Sequence, residues 1–174
     1  DDQASVEVVI PTGVSPHDFQ PSAKQAATMR SADVLVINGA EFEAGLDDTI
    51  TAAKEDGVTV CTAIDGVDVL PTDDPETTDP HFFTDPSRMS DAVDHLGGCI
   101  SRAAPELAET DFARNAADYA AELRNLDAEI DETLAVIPTP ERVLVTNHEV
   151  FDYFADRYDF EVLGAIIPSV SSQA

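Results

Sequence analysis

Three histidines, His17, His81 and His148, each stand in a short loop with its own signature: PTGVSPHDFQPS from Pro11, TDPHFFTDPSRM from Thr78 and VLVTNHEVFDYF from Val143. The chain has only four histidines in 174 residues, so this is a selective use of a rare residue. Neutral imidazole is the commonest protein ligand for zinc and related metals. The pattern points to capture of a divalent metal by side chains remote in sequence. Three histidines with an open position could instead activate a water for hydrolysis. No HExxH or comparable catalytic spacing occurs, so a zinc hydrolase is the alternative, and a non-metal surface adhesion module a second. His95, in DAVDHLGG, falls mid-helix and reads as structural or exposed rather than as a ligand. Asp18 and Asp79 could orient the imidazoles as acceptors, although so acidic a chain carries many solvated carboxylates.

The elements that must position these residues alternate. Residues 6–10 (VEVVI) read as a short β-branched strand, followed by the His17 loop. Ser22 with Gln25 three residues on has the spacing of a capping box and opens a helix to about Ala32. Residues 34–38 (VLVIN) form a continuous apolar run, as buried parallel strands require. A helix over residues 43–56 stops at Gly57, and residues 58–64 form the next strand. Residues 65–84 show no period and read as a loop carrying His81. Asp85-Pro86 supplies a cap and a first-turn proline for a helix to about Arg102, weakened at Gly97-Gly98. Over residues 111–136, Phe112, Ala116, Tyr119, Leu123, Leu126, Ile130 and Leu134 recur at steps of three and four, a strut of roughly 39 Å. Residues 143–146 are a strand leading to His148. Residues 150–158 are a helix with Phe151, Phe154 and Tyr158 on one face, and residues 162–167 a last strand. Strand–helix alternation implies an α/β fold, a parallel sheet with flanking helices, where ligands gather at the carboxyl ends of strands. His17, His81 and His148 can therefore converge.

Charge excludes some partners. Asp and Glu number 35 against 9 Lys and Arg, a formal charge of −26. Such a surface repels nucleic acid and anionic membrane. The acids are spread through every segment, as in adaptation to high salt, where repulsion is screened over a few Å. The chain is therefore expected to be unstable at low salt. No run of about 18 apolar residues could span a bilayer, and no signal peptide is visible. Cys61 and Cys99 sit in apolar surroundings, VTVCTAI and LGGCI, and read as buried free thiols rather than a disulfide.

At these residues the chain resembles a family: the cluster A-I solute-binding proteins, metal receptors of ABC transporters for zinc and manganese. PHDFQPS resembles the first ligand loop of that family, ADVLVINGAEFEAGL the strand and turn after it, DPHFFTDP the second ligand motif and VLVTNHEVFDYFADRY the third. The likeness covers nearly the whole chain, in order. It implies His17, His81 and His148 as metal ligands. It also implies a membrane permease as partner and a place on the extracellular face of the membrane or in a periplasm-like space, anchored in the full-length protein. It implies residues 1–110 as a metal-binding lobe lacking its first strand, residues 111–137 as a connecting helix and residues 138–174 as the start of an incomplete second lobe. Members usually take a fourth ligand, often Asp, from the rest of that lobe. Manganese members usually carry Glu where His148 stands, so zinc is favoured and manganese is the alternative.

Overall fold

Ser22 starts the first helix as its spacing predicts. Its hydroxyl accepts from the Gln25 amide at 3.3 Å, and the Gln25 side chain accepts from the Ser22 amide at 2.9 Å, closing both halves of the box. The computed structural model describes residues 4–72 and 74–165. Its elements in order are α1 (Ala23–Arg30), β1 (Val34–Ile37), α2 (Asp47–Glu55), β2 (Thr59–Thr62), α3 (Pro86–Ala103), α4 (Phe112–Leu134), β3 (Val143–Thr146), α5 (Asp152–Tyr158) and β4 (Glu161–Ala165).

The fold is α/β with parallel pairing, but the strands form two separate two-stranded sheets. β1 pairs with β2 from Val34↔Thr59 to Ile37↔Thr62. β3 pairs with β4 from Val143↔Glu161 to Thr146↔Ala165, with an irregularity at Leu144/Val145. The last strand is thus β4, and Ile166 and Ile167 of the expected run lie outside the described residues. Residues 6–10 correct the sequence reading, because they form no strand, and Val6 and Val8 are 88% and 77% exposed. Strand propensity needs a neighbour to pair with. Here Val9 and Ile10 pack on the first core cluster instead, and the Val9 carbonyl accepts from Gln25 Nε2 at 2.8 Å. The helix expected over residues 43–56 is a 3₁₀ turn, Ala44–Leu46, followed by α2.

Two apolar clusters hold these layers. Met29, Leu35, Leu46, Ile50, Ala53 and Val58 join α1, β1 and α2. Ala63, Phe82, Ala92 and Tyr153 join the end of β2, the His81 loop, α3 and α5. Helix α3 begins at Asp85, whose carboxylate accepts from the Ser87 and Arg88 amides at 2.8 and 3.3 Å, with Pro86 in the first turn. It is continuous through Gly97-Gly98. Gly97 is there for packing: a Cβ on it would lie 3.3 Å from Ala116 Cβ of α4. Further along, Ser90 Oγ donates to the Ala120 carbonyl at 3.1 Å, so the two helices run antiparallel. The 23 residues of α4 span roughly 35 Å. Its buried stripe takes Ala120 and Asp127 in place of the expected Tyr119 and Leu126, which are 48% and 44% exposed. Among the described residues no helix is long and apolar enough to cross a membrane.

Cys61 and Cys99 are bonded to each other, with Cα atoms 5.9 Å apart, which corrects the expectation of free thiols. The sequence showed only that both are apolar in context. Packing of the β2 end on α3 is what brings them together. Closing a 38-residue separation restricts the unfolded chain, and Cys99→Ala should lower stability by about 3 kcal/mol. Thermal melts of the variant and of the reduced parent check this, and equal midpoints for variant and oxidised parent would contradict it.

Candidate metal centre

Each histidine reaches the site from a differently built support. His17 sits in a turn closed by the Phe19 amide donating to the Pro16 carbonyl at 3.4 Å. Phe19 then packs on the first core cluster. Gly45 makes room for this, since a Cβ on it would stand 2.2 Å from the Phe19 carbonyl oxygen.

His81 is 1% exposed and follows Asp79, which is 4% exposed. Asp79 Oδ1 accepts from the His81 amide at 2.9 Å and from its Nδ1 at 2.7 Å. A carboxylate can only accept, so Nδ1 carries the proton and Nε2 presents a lone pair. His148 follows β3. Its carbonyl accepts from Thr146 Oγ1 at 2.8 Å and from the Val150 amide at 3.0 Å.

The three rings meet. His17 Nε2 and His81 Nε2 are 3.4 Å apart. One ring nitrogen from each of His17, His81 and His148 lies within 4.8 Å of the others, the one such gathering of His, Cys, Asp or Glu among the described residues. Ring centroids are 5.4–5.8 Å apart, all edge-to-face. His95 takes no part, and packs against Gly66. Asp79 touches a cluster histidine, and the Asp18 carboxylate accepts from Ser15 Oγ at 3.5 Å and favours the charged form of His17. His148 Nδ1 and Asp79 Oδ2 are buried and make no hydrogen bond with the protein. Burial, then the neighbouring His81 and His148, lower the pKa of His17 below 6.5. Burial and His81 lower that of His148.

Phe42 and Phe83 wall the cluster. Phe42 stands edge-on to His17 at 5.0 Å and to His81 at 5.8 Å, and Phe83 lies 5.9 Å from His81. Of the pair after His81, Phe82 is core and Phe83 is 41% exposed. Phe42 follows Gly39, Ala40 and Glu41, all with positive φ. Two non-glycine residues in that region store strain of roughly 1–3 kcal/mol each. Glu43 holds the turn: its carboxylate accepts from the Asn38 amide at 2.6 Å and the Gly39 amide at 3.1 Å. Asn38 Nδ2 also donates to the Pro80 carbonyl at 3.0 Å, bracing the His81 loop.

Sequence reasoning missed the ties between the third segment and the rest. Asp127 of α4 accepts from Arg157 Nε at 2.7 Å, again from Arg157 Nη2, and from the Tyr158 hydroxyl at 3.0 Å. Arg88 of α3 bridges Asp85 at 2.8 Å and Asp156 at 2.9 Å. The one available cue was a pair of arginines in so acidic a chain.

A family model described as zinc-uptake complex component A, periplasmic, matches residues 1–174. The manganese-binding lipoprotein MntA of Bacillus subtilis is 33% identical over 154 residues, 87% of this chain and 50% of that protein. The iron-binding protein YfeA of Yersinia pestis is 31% identical over 163 residues, 92% of this chain and 51% of that protein. The chain thus spans about half the length of these relatives. The crystal structure of Zn(II)-bound AdcA from Streptococcus pneumoniae superposes with a TM-score of 0.83 at 29% identity, over 97% of this chain and 36% of that one.

Proposed function

The chain belongs to the zinc-uptake component A family, and on that premise we propose that it captures a divalent transition metal for an ABC-type importer. Zinc is the favoured cargo and manganese the alternative; the partner is the importer's membrane permease. His17, His81 and His148 are the ligands. The observation that carries this is the 3.4 Å between His17 Nε2 and His81 Nε2, with the third imidazole alongside. A tetrahedral ion with metal–nitrogen bonds of about 2.05 Å holds its ligand nitrogens about 3.3 Å apart. The carboxylate behind His81 is the partner that orients a ligating imidazole and raises its basicity. Three neutral imidazoles favour zinc over harder ions, although relatives are named for manganese, iron and zinc.

Residues 1–110 belong to the first lobe, 111–137 to the connecting helix and 138–174 to the second lobe, so His148 brings the second lobe to a site begun by the first. The role is binding and delivery, not catalysis. The disulfide fits an oxidising place outside the cytoplasm, and relatives are named lipoproteins. Calorimetric titration at molar salt should show one zinc per chain with Kd below about 1 μM, and weaker manganese binding. Absence of both would sink the reading.

Protons compete for the same lone pairs. Burial first, and then the neighbouring imidazoles, lower His17 and His148 below 6.5, which favours the neutral, ligating form of both. As pH falls through their lowered range, each ring that must shed a proton raises Kd about tenfold per unit. The sign for stability is the same: the unfolded chain takes protons near pH 6.5 that the folded one resists, so the metal-free protein weakens as pH falls. Titrations at pH 7.5, 6.5 and 5.5 check this; a Kd unchanged at pH 5.5 would count against imidazole ligation.

A further inference from the structure

Tyr153 is fully buried, only five residues after the half-buried His148. Its ring belongs to the second core cluster with Ala63, Phe82 and Ala92. Its hydroxyl donates to the Asp79 carbonyl at 2.9 Å, across 74 residues, and accepts from the Leu70 amide at 3.4 Å. The Arg88 guanidinium covers the ring at 5.0 Å and is itself fixed by Asp85 and Asp156. The Asp79 peptide so held carries the carboxylate that orients His81. One phenol therefore joins the segment bearing His148 to the residue that aims His81.

We propose that Tyr153 is a positioning residue for the metal centre. Its hydroxyl sets the register between His148 and the His17–His81 pair, so the three nitrogens are gathered before the ion arrives. This rests on the metal-capture reading. Removing the hydroxyl takes away the buried hydrogen bond to the Asp79 carbonyl and the half-buried one from the Leu70 amide. The Asp79 peptide then shifts, and with it the His81 ring. The neighbouring Tyr158 offers a matched comparison, because its hydroxyl donates to Asp127 at 3.0 Å on the far side of α5. Tyr153→Phe removes two hydrogen bonds and Tyr158→Phe one, but only those of Tyr153 lead to the site.

The test is titration of the full chain, Tyr153→Phe, Tyr158→Phe and His81→Ala with zinc, and with cobalt(II) read by its visible absorption, at molar salt. Tyr153→Phe should weaken zinc binding by about 10- to 100-fold and alter the cobalt bands. Tyr158→Phe should melt earlier with affinity and bands unchanged. Amide exchange gives a readout in the parent alone: zinc should slow exchange at Leu70 by at least about tenfold. Parent-like affinity and bands in Tyr153→Phe, an equal loss in Tyr158→Phe, or a Leu70 amide indifferent to zinc would each overturn the proposal while leaving metal capture standing. A parent that binds neither metal, or His81→Ala binding as the parent does, would overturn both.

Discussion

His81→Ala should lower zinc affinity by about a thousandfold, well beyond the ten- to hundredfold typical of losing a group that only orients a ligand. His81 is the most buried of the three, and its far nitrogen is held by a carboxylate at 2.7 Å. Its Nε2 also approaches His17 at 3.4 Å, so its loss leaves the other two rings without a centre. Asp79→Asn should cost less, within that ten- to hundredfold range, because an amide can still accept from Nδ1 but draws less charge from the ring. Titration calorimetry at molar salt ranks the three proteins. Unchanged zinc binding in His81→Ala would place the metal elsewhere.

Lowering potassium chloride from 1 M to about 0.1 M lengthens the screening distance from about 3 to about 10 Å. With 35 acids against 9 basic residues, most carboxylates then feel several neighbours of like sign. On α4 alone, Asp118, Glu122, Glu129, Asp131 and Glu132 are all exposed. Self-repulsion of several kcal/mol should lower the melting midpoint by roughly 10–20 °C. Circular dichroism melts across a salt series measure it. A midpoint indifferent to salt would mean the acidity does not serve life at high ionic strength.

Much of the site's skeleton was legible in the chain, because it depends on local signals. The Ser22–Gln25 box, the Asp85-Pro86 start and the 143–146 strand are each written in a few adjacent residues. What failed depended on distant partners. The valines at positions 6 and 8 have strand propensity but, among the described residues, no strand pairs with them, and both are exposed. The disulfide exists because β2 packs on α3. Asp127 enters the buried stripe because Arg157 neutralises it, and a hydropathy pattern necessarily chose Leu126 instead. No spacing pattern marks Glu43 as the holder of its turn; the fold shows it by placing two amides against its carboxylate.

The clamp of Asp127 on Arg157 bears on how an ion held by the three imidazoles would get out. A helix bolted to a rigid post at one end and keyed by a phenol at the other has little freedom to swing. Wide parting of α5 from α4 and from the His81 loop would break both fastenings at once. Residues 147–151, between β3 and α5, carry neither. Unloading by a small flexing of that short link, with the two halves otherwise at rest, is the motion this architecture leaves open.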